Sequence, residues 1–279
     1  MHQPRTHKIL DKLPIFGSIL ATAVFVALFF ISMSLADLVL ENFLPEDLCS
    51  GPSIIVGFIA TTLLFMLWFK GETKGLFIGG DIRAAAVVAC LYVAYWILSV
   101  ALGIIISGDR YGLPKLSDIS NSVSAGFMEE TMVRGFILML LFRKKRTPRV
   151  IIASMIVTSA IFSLLHASNL FMGADPGATV MQVASSFATG FCFAALYVCS
   201  GNILPAILMH TLHDIIAFSA IGATEDGLMI APVDTGSWIN LILCYTLALI
   251  CFFYLNKDTV MKRTIAIWDD KWRVPVTLN

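Results

Sequence analysis

The sequence predicts an all-α membrane protein, a polytopic bundle of about eight transmembrane helices around an intramembrane polar site. Three observations predict it. Hydrophobic residues make up 58% of the 279-residue chain and charged residues only 14%, against about 25% charged in a soluble domain. The apolar residues lie in long blocks, close to or above the roughly 20 residues that cross a bilayer as a helix. They do not break into the roughly 10-residue segments of alternating polarity that a β-barrel requires. A formal net charge of zero also argues against a nucleic-acid partner, which would leave a basic footprint.

The first block, Leu13 to Ala36, follows the basic residues Arg5, Lys8 and Lys12. It exceeds the roughly 7–15 residues of a cleaved signal's apolar region, so it is expected to be a retained helix. The second span is Pro52 to Phe69 and the third Ala84 to Ser107. The fourth, Ile119 to Phe142, starts polar and turns apolar. The fifth is Val150 to Ala167, the sixth Val180 to Cys199, the seventh Ile203 to Ile221 and the eighth Trp238 to Leu255. Short connections carry turn formers, at Gly108 to Pro114, Gly173 to Gly177 and Ser200-Gly201-Asn202. Residues 1–279 read as a single transmembrane domain. Five of the six cysteines lie in apolar blocks and none forms a C-x-x-C pair, so they read as packing residues.

Eight spans put both termini on one side. With the N-terminus inside, sixteen Lys and Arg fall on inner segments, only Arg110 and Lys115 fall outside, and Arg134 lies within a span. Cytoplasmic loops collect Lys and Arg, so both termini are expected in the cytoplasm, here of a bacterial cell membrane. The Arg143 to Arg149 run reads as a topology anchor.

Charge inside a bilayer costs roughly 2.5–3.5 kcal/mol per Asp, Lys or Arg at a helix centre, so each intramembrane charge needs a reason. Span four holds Glu129, Glu130 and Arg134, span five holds His166, and span seven holds His210, His213 and Asp214. Three helices that each carry titratable groups are satisfied most simply by facing one another around a wet cavity. Glu130 and Arg134 are spaced i,i+4 and can pair on one face. Glu129 points about 100° away and is free for another task. A carboxylate in a low-dielectric cavity is suited to act as a general base on water, and donors aimed at a carbonyl oxygen form an oxyanion hole. The chain has no G-x-S-x-G elbow and no H-E-x-x-H helix.

The run from Glu129 to Arg134 fits E-E-x-x-x-R, Phe162 to His166 fits F-x-x-x-H, and His210 to Asp214 fits H-x-x-x-(Asn or Asp). In this order, each on its own span, the three motifs resemble the CPBP intramembrane protease family, which comprises CAAX-prenyl endopeptidases and bacterial bacteriocin-processing or immunity proteins. The family-like core covers about residues 118–221. The resemblance implies that Glu129 activates water, that His166 helps hold it, and that His210 and Asp214 line the oxyanion side. Asp replaces Asn here. An ionised Asp cannot donate a hydrogen bond, so Asp214 would have to be protonated or would orient His210 instead. Glu130, Arg134 and Phe162 are expected to support, and His213, off the pattern, to pack.

The expected activity is therefore a CAAX-protease-like intramembrane endopeptidase with a glutamate-activated water and no cofactor. Its partners are a membrane-associated peptide or protein substrate and the lipid bilayer. One alternative is a zinc protease with Glu129, His166 and His210 as ligands, a plausible catalytic set. Another is a non-catalytic immunity or scaffold protein. A midplane transporter would need a repeat or paired broken helices, and neither is present. The helical rise places the site toward the outer side. Glu129 lies 14 residues before Arg143, about 21 Å up a core roughly 30 Å thick. His166 lies 17 residues past Arg149, about 25 Å up. His210 lies nine past Gly201, about 13 Å up, and Asp214 about 6 Å further, so the average lies at or beyond the midplane. The CAAX resemblance instead implies access from the cytoplasm.

Overall fold

Each apolar block of the sequence forms a helix in the computed structural model, which describes residues 8–43, 46–69, 80–222, 224–225, 228–229 and 231–272. The helices are α1 (Lys8–Lys12), α2 (Pro14–Leu40), α3 (Glu46–Trp68), α4 (Ala86–Leu102), α5 (Leu116–Glu130), α6 (Met139–Phe142), α7 (Pro148–Leu165), α8 (Pro176–Ser200), α9 (Leu204–Phe218), α10 (Thr235–Leu255) and α11 (Asp258–Lys271). Among the described residues, five helical stretches are long and apolar enough to cross a membrane: Pro14–Leu40, Ile82–Ser107, Pro148–Met172, Pro176–Ser200 and Thr235–Leu255. Pro52–Trp68 and Leu204–Phe218 are shorter apolar helices. The fourth expected span, Ile119 to Phe142, corresponds to the run from α5 through α6. The protein is an all-α polytopic membrane protein. Strand among the described residues is limited to a two-residue antiparallel ladder, Thr224–Glu225 with Leu228–Met229.

Of the residues in the charge tally, Arg5, Lys70, Lys74 and Arg273 lie outside the described residues, as does the side chain of Lys8; among the cysteines, the side chain of Cys49 does too.

The bundle is organised around α8. From Ala188 to Ser200 every residue of this helix is buried, as expected of a helix that is apolar on all sides. It packs against α7, α9, α10 and α11. Asp175 caps its start by accepting from Ala178 N at 2.8 Å, with Pro176 in the first turn. Gly201 ends it at φ 62°, a left-handed conformation that favours glycine. The outward faces of the peripheral helices stay apolar. Leu38, Ile97, Ile242 and Phe253 are each about two-thirds exposed, and such a surface needs hydrocarbon rather than water.

α2 and α3 form a hairpin. It docks through Phe65, whose ring stacks on Phe136 at 4.0 Å and 8°, and through Phe25, edge-on to Phe136 at 5.3 Å. At one end of the bundle the charged loops meet. Arg143 and Lys144 bond Asp11 at 2.7 and 2.6 Å, Arg146 bonds Asp269 at 2.5 Å, and Arg263 bonds Asp81. Here α11 lies over the ends of α6 and α8, with Trp268 buried between Phe142 and Tyr197. Its Lys271 ammonium is pushed down to about 8 by burial.

Two expected helices are less regular than a simple α-span. Between α5 and α6, Thr131–Leu138 is a π-helix, a form concentrated at functional sites. The fifth span, expected as helix from Val150 to Ala167, changes at His166 into a 3-10 turn that runs to Met172. Polar side chains there compete for backbone and neighbouring groups. Ser168 Oγ donates to Leu165 O at 2.7 Å, and Asn169 Nδ2 donates to Gln182 Oε1 of α8 at 2.9 Å.

Candidate active site

α5, with its π extension, and α9 lie side by side, and Gly126 lets them approach closely. A Cβ on Gly126 would stand 2.4 Å from Thr211 Oγ1, 3.0 Å from Thr211 N and 3.1 Å from Ile207 O. One turn further on, this contact brings Glu129 and Glu130 opposite His210.

Glu130 and Arg134 are both fully buried. Arg134 Nη1 donates to Glu130 Oε1 at 2.7 Å and Nη2 donates to the carbonyl of Gly190 on α8 at 2.9 Å. The guanidinium also lies over the Phe162 ring, 4.3 Å from its centroid. The same Glu130 Oε1 stands 2.9 Å from His210 Nδ1. Opposite a carboxylate, Nδ1 carries the proton and donates. Glu130 thus joins the arginine of its own helix to the histidine of another.

That bond fixes which way the His210 ring faces. Its second nitrogen, Nε2, lies 3.5 Å from Asp214 Oδ2 and 4.0 Å from Glu129 Oε2. Glu129 and Asp214 keep 27% and 21% of their side-chain surface exposed, against 5% for His210. The two outer carboxyls are therefore partly exposed, whereas the imidazole between them is buried. Aromatic rings hold His210 on both sides. Phe193 stacks on it at 4.9 Å and 17°, and Phe162 meets it edge-on at 5.6 Å.

His166 ends α7. Its Nδ1 bonds the carbonyl of Phe162 at 3.0 Å, and its ring meets Phe162 edge-on at 4.9 Å. With Nδ1 on the backbone, Nε2 is left for another partner. Phe162 thus touches Arg134, His166 and His210 together.

Of the residues singled out in the sequence, Glu129, Glu130, Arg134, Phe162, His210 and Asp214 form one connected group. His166 joins it through Phe162. His213 lies behind the group against α4. Among the described residues no group of three or more His, Cys, Asp or Glu side chains is drawn together as a metal site; within the zinc set, His210 Nε2 stands 4.0 Å from Glu129 Oε2. Sequence reasoning missed Phe193, the Gly190 carbonyl, and Tyr92 and Trp96 behind His213. The first two sit in a helix with no polar period to mark them.

The arrangement pairs a partly exposed carboxylate with an imidazole whose far side is held by a buried second carboxylate. Such a group can take a proton from water and can direct an N–H at developing negative charge.

Residues 114–216 match the family model for type II CAAX prenyl endopeptidases, Rce1-like. This agrees with the resemblance to the CPBP family drawn from the motifs. No curated protein matches the chain, and no solved structure does.

Proposed function

For a membrane protein that carries an Rce1-like domain of the type II CAAX prenyl endopeptidases, we propose hydrolysis of a peptide bond by a water that Glu129 activates, within the membrane and without a metal. The observation that carries this reading is the convergence of Glu129, Glu130 and Asp214 on the two nitrogens of His210.

Glu129 takes a proton from water as the oxygen adds to the scissile carbonyl carbon. The carbonyl oxygen becomes an oxyanion and accepts from His210 Nε2–H. With Glu130 on Nδ1, the imidazole can hold a proton on both nitrogens, and a charged donor strengthens this bond. Asp214 either donates to the oxyanion while protonated or, ionised, orients the ring by its charge beside Nε2. Collapse of the intermediate breaks the C–N bond, and the leaving amine takes the proton held by Glu129. His166 Nε2 helps hold the water.

The substrate is a membrane-associated peptide or protein, and the family name makes a prenylated CAAX peptide the first to test. Purified protein in lipid nanodiscs should cleave such a peptide. Glu129→Gln and His166→Ala should each lower kcat by about 10²-fold or more while accumulating normally. Undiminished cleavage by Glu129→Gln would remove Glu129 from the mechanism. If no prenylated peptide is cut, membrane proteomics of wild type against Glu129→Ala would find the cleavage that disappears.

A further inference from the structure

The buried residues of α4, Val88, Tyr92, Tyr95 and Trp96, recur at helical spacing and form one stripe. Its polar tips serve two neighbours. Tyr95 Oη donates to Asn240 Oδ1 of α10 at 2.8 Å, and Ser99 Oγ donates to the same atom at 2.8 Å, which fixes α4 on α10. The other two tips reach α9. Trp96 Nε1 donates to Nδ1 of His213 at 3.2 Å, and Tyr92 Oη stands 3.3 Å from the same nitrogen.

These contacts determine the tautomer of His213. An indole N–H donates and cannot accept, so Nδ1 must keep its lone pair. The proton of the neutral ring then sits on Nε2. Protonating Nδ1 would set N–H against N–H. His213 is therefore held neutral one turn from His210, which keeps a second positive charge away from the imidazole that faces Glu130.

His213 is also coupled mechanically to the site. It stands three residues after His210 and next to Asp214. Phe193 lies flat on Tyr92 at 5.2 Å and 27°, edge-on to His213 at 6.3 Å and stacked on His210 at 4.9 Å. Turning α9 by about 20° would carry a side-chain tip at the helix's outer radius of roughly 5–6 Å through about 2 Å. That is enough to break the 2.9 Å bond between Glu130 and His210. A misplacement of about 1 Å already costs on the order of 10²-fold in rate.

Resting on the endopeptidase reading above, we propose that His213 is a positioning residue. Trp96 and Tyr92 hold it as the Nε2–H tautomer, and this clamp sets the rotation of α9 that aims His210 and Asp214 at the reacting carbonyl.

The chain has five histidines, so their ring nitrogens can be followed by NMR in protein labelled with nitrogen-15 histidine and held in nanodiscs. His213 should show an unprotonated Nδ1 and a protonated Nε2. Trp96→Phe keeps a ring and removes the donor, and should move the His213 signals. His213→Leu should move the His210 signals and lower kcat on a prenylated CAAX peptide by about tenfold or more with KM within about twofold. In His213→Asn the side-chain oxygen stands where Nδ1 stood and accepts both bonds. It should keep the His210 signals in place and return kcat to within about threefold of wild type. A protonated Nδ1 in wild-type His213, or His210 signals unmoved in His213→Leu, would overturn the proposal. If the wild type cleaves no peptide, the activity reading fails, and the ring resonances still decide the clamp.

Discussion

Glu130 and His210, 80 residues apart in the chain, are joined by a 2.9 Å hydrogen bond from Nδ1 to Oε1, the same oxygen that accepts from Arg134 at 2.7 Å. One buried carboxylate oxygen thus balances the arginine and sets the face that His210 turns to Glu129 and Asp214. The buried ion pair and the imidazole that faces the two outer carboxyls are linked through a single atom.

Removing one member of the buried pair strands the other. Glu130→Leu or Arg134→Met alone should cost about 3–5 kcal/mol and lower the amount of protein in the membrane. Replacing both should recover much of that amount, because neither charge is then buried alone. Activity should not return with it, since His210 would still lack its Nδ1 partner. Immunoblots of membranes alongside peptide cleavage separate the two effects. Single variants that accumulate normally would show that the pair does not hold the helices.

The approach of α5 to α9 depends on the missing side chain at Gly126. In Gly126→Ala the new methyl meets backbone at 3.0 and 3.1 Å, which cannot rotate away. The helices must part by a few tenths of an ångström or more, and overpacking of this kind costs about 1–3 kcal/mol. The thermal midpoint should fall and cleavage should weaken beyond the loss of folded protein. An unchanged midpoint would mean that α9 yields freely at this point.

The motif residues were legible because charge is rare in a membrane span. Glu129, Glu130, Arg134, His166, His210 and Asp214 stand out against apolar neighbours, and the i,i+4 spacing of Glu130 and Arg134 survives even though the π-helix begins at Thr131. The eight helical segments were legible from block length alone. The residues that complete the site were not. Phe193 is one apolar residue among many in a helix buried on all sides, and the Gly190 carbonyl belongs to the backbone. His213 has no charged neighbour at helical spacing to mark its role, since its partners Tyr92 and Trp96 lie 121 and 117 residues away. The turn at His166 depends on Asn169 meeting Gln182 of another helix, which no local pattern contains.

Asp214 stands where the family pattern allows Asn. If it serves by donating from Oδ2–H, Asp214→Asn supplies a permanent donor and should keep kcat within about tenfold of wild type. Asp214→Leu has no polar group to offer His210 Nε2 and should lose about 10²-fold or more. Loss in Asn equal to that in Leu would show that the carboxylate's charge orients the ring.

Metal dependence is settled by removal. With Glu129 alone activating water, exhaustively chelated protein should cleave at the wild-type rate, and elemental analysis should find no stoichiometric zinc. Activity that disappears on chelation and returns with zinc, at about one ion per chain, would assign Glu129, His166 and His210 as ligands.

The side on which the site opens follows from where the charged loops gather. Asp11, Arg143, Lys144, Arg146, Asp269, Asp81 and Arg263 are joined at one end of the bundle, and α7 runs from Pro148 near that end to His166 at its other end. The loop after the third span is tied to the far end of α9, through Gly112 N to Ser219 O at 2.9 Å and Ile221 N to Arg110 O at 2.8 Å. The site therefore lies in the half of the bundle away from the clustered charge. With Lys and Arg retained inside, its mouth should open to the outer leaflet or sideways into lipid, although CAAX substrates are met in the cytoplasm. Ser168 and Ser120 are exposed on this half. Ser122 is buried against Asp118 O and would report nothing. In a background free of native cysteines, Ser168→Cys and Ser120→Cys should react with an impermeant thiol reagent added to intact cells. Reaction only after the cytoplasmic face is opened would invert the orientation and put the site within reach of a cytoplasmic substrate.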